Sequence, residues 1–516
     1  MKDLAQPLGI RFIKREAIMC QWKIYFLLPI LMGMLLSTQS SAQNQSLHLS
    51  QEPFSLNELN TIKQYLFNNI MTSDHVVIKE NEGRVIHSMP GAVLASPSNK
   101  AEFFTQDYQF HWIRDAALTM NEVALLYSTS SLDERKQLKP YLINYINFEQ
   151  QIQQQTLSKG QSLGEPKYNI DGTLWQGQWA RPQNDGPALR AITMMAIANL
   201  LVKEGDEKLV QEKIRDMITT DLDYVASKWQ EFNYDLWEEV GDQDHFFTKM
   251  VGRRALREGA EWVKQFADPG RAEWYLSVAN QMTTSLQKHW NDHRGYFTET
   301  ISQQFFKGGG MDSAIILGVL YGNIEDPNDP FAINNERVLS SIYFIRSSFV
   351  DLYRVNIDRP GSPPLVGRYP NDAYDGGQFN YGNPWILNTA ALAEYYYALA
   401  YAYLKQGEIN ITKENILFFQ QVNSSLNQEK KITLSAHPGQ FYTIINDLMN
   451  EGDHLLQRMK EYAVCYADGS CNHFSEQIDR TSGEQVSAKD LTWGYASLLS
   501  AMQMRTMAQN ELLPLF

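Results

Sequence analysis

Cysteine is nearly absent from this chain: 516 residues hold three. So few cannot staple a scaffold together, and a chain of this length buries a core without them. Basic residues are also scarce, with 45 Lys and Arg against 59 Asp and Glu, a formal charge of −14. Residues 1–42 hold five of the cations and two of the acids, so the remainder carries 40 against 57, or −17. So acidic a surface repels nucleic-acid phosphates and anionic membranes, and a neutral substrate suits it better. No Ser/Thr/Pro-rich linker divides the chain after residue 50, and strand-like alternation is limited to pieces such as DHVVIKE (74–80). No second Cys/His pair stands near Cys465 and Cys471, so no structural zinc site is indicated and no metal is expected. Among the ten histidines, His111 and His473 read as loop-packing or substrate-rim residues rather than bases.

The N-terminus is better defined. Lys23 precedes the apolar run IYFLLPILMGMLL (24–36), and STQSSA follows, ending at Ala42. A cation, a short hydrophobic stretch and small residues at the cleavage point read as a secretory signal peptide over 1–42. The run is short for a membrane span. Residues 1–18 read as an upstream extension, with Met19 as the natural start, and residues 43–516 as one domain. Removing the leader takes Cys20 with it. An oxidising compartment then permits a small disulfide between Cys465 and Cys471, in AVCYADGSCNHFSEQ; two free thiols are the alternative.

Apolar residues at spacings of three and four predict about a dozen helices. The sharpest are 56–70, 114–127, 187–205, 208–229, 271–290, 386–407 and 490–507. The stripe EYYYALAYAY (394–403) reads as a buried helix face. Five of the helices are preceded by loops rich in acids, Arg and aromatics: DYQFHWIRD (107–115), WARPQNDGP (179–187), YDLWEEV (234–240), GRYPNDAYDGGQFNYGNPW (367–385) and HFSEQIDRTSGEQVSAKDLTW (473–493). Alternate helices carrying such loops predict an all-α barrel whose functional loops gather at one end.

YDLWEEV crowds Asp235, Glu238 and Glu239 around Trp237, with no cation until Lys249. Hydrolysis of a glycosidic bond needs one carboxylic acid to protonate the leaving oxygen and a second carboxylate on the opposite side. An aromatic and acidic setting favours the protonated form of the first. Sugar binding adds flat aromatic platforms and planar donors, and the five loops supply Tyr108, Trp112, Trp179, Arg114, Asp115, Arg368 and Asp372. Arg114–Asp115 and Arg368–Asp372 also read as loop-stitching salt bridges, and Glu484 as a structural acid.

These stretches together, YDLWEEV followed by FFT, RPQNDGPALRA, FHWIRDAAL, GRYPND…GNPW and SEQ…SGEQVSAKDLTW, resemble the glucoamylases of glycoside hydrolase family 15. The likeness runs in order from about residue 100 to residue 505. It implies an (α/α)6 barrel, exo-hydrolysis of α-1,4-glucans from the non-reducing end with inversion to β-glucose, and no cofactor. Starch, glycogen or maltooligosaccharides are the implied substrates; separately, a monomer is expected. Carried over by motif, Glu238 is the general acid and Glu476 the general base, with Asp235 supporting the charge state of the site. Glu239, Arg114, Asp115, Arg181 and Arg368 become substrate-binding residues, Trp179 packs on the substrate, and Tyr108 lies beneath the terminal sugar. Trp112, Trp237 and Asp372 complete the expected ring. Departures are His111 where many members have Thr, Ala180 where Gly is common, and no starch-binding module after LLPLF. Same-fold enzymes of α-1,6 links or trehalose, and a non-catalytic glucan-binding protein, are the rival readings.

Overall fold

Twelve helices of eight or more residues follow one another along the described chain. They are α1 Leu56–Asn68, α2 Ile113–Thr129, α3 Leu132–Ser158, α4 Asp185–Lys203, α5 Arg215–Lys228, α6 Phe246–Phe266, α7 Gly270–Leu286, α8 Ala314–Tyr321, α9 Glu336–Ser348, α10 Ile386–Gln406, α11 Pro438–Lys460 and α12 Thr492–Leu512. The computed structural model describes residues 52–81, 83–99, 107–302, 307–377 and 379–512. The leader expected at 1–42 lies outside them.

The even-numbered helices touch in the order α2, α4, α6, α8, α10, α12 and back to α2, closing an inner ring. The odd-numbered helices lie against it from outside: α1 on α12, α3 on α2, α5 and α7 on α6, α9 on α8, α11 on α10. This is the all-α barrel that the alternation of loops implied, in the (α/α)6 form that the family resemblance implied. Composition follows position. In α8 every residue from Ala314 to Val319 is buried, as an inner helix requires. In outer α3, one face carries the buried Leu142, Tyr145, Ile146, Phe148, Glu149, Ile152, Gln153 and Thr156. Ser55 with Glu58 and Ser131 with Glu134 form capping boxes that start α1 and α3. The tyrosine stripe is core: Tyr395, Tyr396, Tyr397 and Tyr403 are buried in α10. The helix expected over 208–229 is interrupted by a π-helical turn, Val210–Ile214, before α5 begins.

The five loops singled out in the sequence lead into the N-termini of α2, α4, α6, α10 and α12, so they gather at one end of the ring. Three are stiffened by two-stranded antiparallel ribbons. His111–Trp112 pairs with Lys167–Tyr168, Asn233–Tyr234 with Gly241–Asp242, and Gln477–Ile478 with Gln485–Val486. Glu484 is exposed beside the turn of the last ribbon. Cys465 and Cys471 are joined in a disulfide. The hairpin they close lays Tyr466 on one face of His473, with Tyr65 on the other, at ring distances of 3.8 and 4.0 Å.

Below the loops, Arg190 of α4 is buried against two outer helices. It donates to both oxygens of Asp221 in α5, at 2.6 and 2.7 Å, and to Glu149 in α3 at 3.1 Å. His111 Nδ1 accepts the Val93 N–H, so its proton sits on Nε2, which donates to Glu149 at 2.9 Å.

Candidate active site

Glu238 stands in a turn built by Asp235. The Asp235 N–H donates to the Val240 carbonyl at 2.9 Å, and one Asp235 carboxylate oxygen accepts the N–H groups of Glu239 and Val240 at 2.7 and 2.8 Å. This winding leaves Glu238 at φ 64°, a left-handed conformation uncommon for residues other than glycine. Strain of this kind persists where surrounding contacts over-determine the backbone, and it concentrates at functional sites. The Glu238 carboxylate is met by three donors: Trp112 Nε1 at 3.0 Å, Trp179 Nε1 at 2.5 Å and Arg114 Nη1 at 3.4 Å. Its side chain is 18% exposed, enough to meet a ligand.

Glu476 is 3% exposed and lies across an aromatic wall from Glu238. Its backbone N–H donates to the Ala488 carbonyl at 2.7 Å. Its carboxylate accepts from Ser487 Oγ, from Gln477 Nε2 at 3.0 Å and from the Tyr108 hydroxyl at 3.2 Å. Tyr108 OH also pairs with Tyr374 OH at 2.6 Å, and its ring lies 6.1 Å from that of Trp112. The two carboxylates are thus tied through one pair of rings, Tyr108 on the Glu476 side and Trp112 on the Glu238 side. Burial pushes the Glu476 carboxyl above its ordinary value, while Ser487 and Gln477 pull it down.

The other acids divide into ionised and protonatable. Burial alone would raise Asp235, but Lys307 and His245, with the Val240 N–H, hold it at about 2. Glu239 also lies low: burial opposes this, and Arg368 and Lys307 overcome it. Arg368 Nη2 reaches Glu239 at 2.7 Å, Tyr369 OH donates to it at 2.6 Å, and Lys307 Nζ lies 3.0 Å away. Burial carries Asp115 up to about 7, with Arg114 pulling down and Glu238 pushing up. Asp312 likewise rises to about 7 through burial.

Several expected binding residues have structural partners. The Arg114–Asp115 salt bridge expected from sequence does not form: Arg114 pairs with Asp185 at 2.5 Å and with Gln183 at 2.7 Å before it reaches Glu238. Arg368 is held by Asp372 through two bonds of 2.6 and 2.8 Å, so that pair is both a stitch and a support for Glu239. Arg181 pairs with Glu165 at 2.8 Å and donates to the Gly177 carbonyl at 2.9 Å, bracing the loop that carries Trp179. Trp237 is buried beneath the acidic turn, its Nε1–H on Asp312 at 2.8 Å and its ring 5.6 Å from Trp385. Trp179, 37% exposed, stands at the open side.

Two lysines here were not anticipated. Lys167, 2% exposed, sits within 3.3–4.7 Å of the ring centres of Trp179, Trp175, Trp112 and Phe110. Burial lowers it to about 7, against the attraction of Glu238. The ribbon partner of His111–Trp112 puts it there, a pairing no local pattern announces. Lys307 binds Asp235 and Glu239 together, and it lies on the loop before α8. A barrel with six inner helices has six such loops, so the missing sixth was the available signal. Ser487, at φ 68°, lies inside SGEQVSAKDLTW, where nothing in the local sequence sets it apart.

Residues 72–503 match the family model described as glycosyl hydrolases family 15. A glucoamylase of Blastobotrys adeninivorans is 34% identical over 87% of this chain and 70% of its own length. One from Saccharomycopsis fibuligera is 32% identical over 82% of this chain and 86% of its own length. Among solved structures, glucoamylase from Saccharomycopsis fibuligera superposes with a TM-score of 0.76 at 30% identity, covering 90% of this chain and 98% of that one. The family 15 glucoamylase of Hypocrea jecorina gives 0.75 at 31%, covering 87% and 71%. With this match, these relatives and a shared barrel, the chain belongs to family 15 of the glycosyl hydrolases.

Proposed function

We propose that this glycoside hydrolase is a secreted glucoamylase that removes terminal α-1,4-linked glucose from the non-reducing ends of starch-like glucans, inverting it to β-glucose. The observation that carries this reading is the pair Glu238 and Glu476, tied to opposite members of one aromatic pair. Glu238 donates its proton to the glycosidic oxygen as the bond from C1 to that oxygen breaks. Glu476 takes a proton from the water that forms the new bond to C1 from the other face. Inversion requires the carboxyls to stand about 6.5–9.5 Å apart, leaving room for that water. Arg114, Asp115, Arg368 and Glu239 hold hydroxyls in this scheme, and Trp179 and Tyr108 supply flat surfaces. Asp235, ionised and bound by Lys307, keeps the acidic turn in shape. Residues 43–516 act as one catalytic domain, and the disulfide suits an oxidising compartment.

Proton NMR of maltoheptaose digestion tests the stereochemistry. β-Glucose is expected in the first spectra, before mutarotation. α-Glucose first would overturn inversion and the role of Glu476. Glucose from isomaltose but not from maltoheptaose would move the substrate class to α-1,6 links.

The setting of Glu476 also fixes a pH effect. Ser487 pulls its carboxyl down against burial, so Ser487→Ala lets the value climb further. A base must be ionised to act, so the acidic limb of kcat/KM should move to higher pH, by about one unit for one charge-assisted hydrogen bond. The alkaline limb should stay in place. A profile with an unmoved acidic limb would exclude Glu476 as the group titrating there.

A further inference from the structure

Past Tyr374, the loop that holds Arg368 and Asp372 makes an excursion with no part in the chemistry above. Its neck is closed where the Gly382 N–H donates to the Asp372 carbonyl at 2.7 Å. A Cβ at Gly382 would come within 2.5 Å of the Asp372 side chain, so the close approach requires glycine. Inside the neck, the Asp375 carboxylate accepts the N–H groups of Gly377, Phe379 and Asn380, at 3.1, 3.0 and 3.3 Å. This clamp holds Phe379 at φ 55°, a conformation that a bulky aromatic residue rarely adopts. The ring is nevertheless 59% exposed, and Tyr381 two residues on is 71% exposed. Phe379 leans on Tyr374 at 5.4 Å, and Tyr374 is the residue whose hydroxyl meets Tyr108 beside Glu476. Tyr381 lies 5.8 Å from the Arg480 guanidinium, whose Nη1 donates to the Gly382 carbonyl at 3.2 Å.

Single exposed apolar residues are ordinary, but two aromatic rings held in water by a strained, clamped loop, in contact with the site wall, are not. Two rings offer too little area for a stable protein interface. Each does offer one flat apolar face, which is what the C–H face of a pyranose needs.

We propose that Phe379 and Tyr381 form a stacking platform for glucose units of an α-glucan beyond the unit that is released, so that this loop favours long chains over disaccharides. This rests on the glucan-hydrolase reading above. The test is kcat/KM on maltose and on maltoheptaose for the full chain, for Phe379→Ala, Tyr381→Ala and the double variant, and for Trp274→Ala. Trp274 is an exposed aromatic on α7 and serves as the control. The ratio of maltoheptaose to maltose is expected to fall about three- to tenfold in the double variant, the range of a lost aromatic contact, and to hold in Trp274→Ala. Phe379→Asn, which suits left-handed backbone, separates loss of the ring from a change of loop shape and should lower the ratio as Phe379→Ala does. An unmoved ratio, or equal losses on both substrates, overturns the platform while leaving the proposed hydrolase in place. A wild-type chain that releases glucose from neither sugar overturns both.

Discussion

Glu238→Gln is expected to lower kcat on maltoheptaose by about two to four orders of magnitude, the range for loss of a positioned general acid. The variant keeps the shape of the side chain and loses only the transferable proton. One cost is local: an amide N–H would face either Trp112 Nε1–H or Trp179 Nε1–H, both donors, so the new side chain orients its oxygen toward one of them. KM should change far less than kcat, because the platforms and guanidinium groups remain. Glu476→Gln should lose as much. Its amide oxygen can still accept from Ser487, so the fold around it stands while the base is gone. If that variant stayed within tenfold of wild type, Glu476 would not be the base. Asp235 is unsuited to that part: held at about 2, buried, and bonded to Lys307 and two backbone N–H groups, it is a weak base shut away from water.

The parts of this site legible from sequence were those written on one continuous stretch. YDLWEEV and SEQ announce their acids because the turn and the ribbon that present them are local, and the loop rhythm announced a barrel because each inner helix begins just after a loop. What escaped came from pairing across the chain. Lys167 reaches its cage of rings only because its strand lies beside His111–Trp112, some 55 residues earlier. Lys307 reaches Asp235 across a separation of 72 residues. The distinction between a binding arginine and a bracing one was equally hidden, since Arg181 and Arg368 look alike in sequence and differ in which carboxylate folds against them. Among the helices, α3 is the longest at 27 residues and was not among the sharply marked segments. Its sequence is rich in Gln, and it buries charged and polar groups such as Glu149 and Gln153 along its inner face, which blurs an apolar period.

That polar inner face leads to the largest expected loss of stability. Arg190→Met removes the cation shared by Asp221 and Glu149, whose side chains are both 0% exposed. Breaking a buried ion pair by deleting one partner costs about 3–5 kcal/mol, because the remaining charge is stranded away from water. Gln153 still donates to Asp221 at 2.9 Å and His111 to Glu149, so the stranded pair is eased but not neutralised. The pH dependence follows by linkage. Burial already raises Asp221, and without Arg190 nothing cationic holds it down. A folded-state value above the unfolded one means that the native state binds the extra proton, so stability falls as pH rises through that value. The urea midpoint of the variant should therefore lie further below wild type at pH 8 than at pH 5. Replacing Asp221 as well, in Arg190→Met/Asp221→Leu, should recover much of the loss by substituting apolar contact for a buried charge. The effect should also reach the site, since His111 holds Glu149 with one ring nitrogen and is followed in the chain by Trp112, the indole on Glu238. A single variant with a wild-type midpoint at both pH values would mean that the Arg190 cluster contributes nothing net to stability.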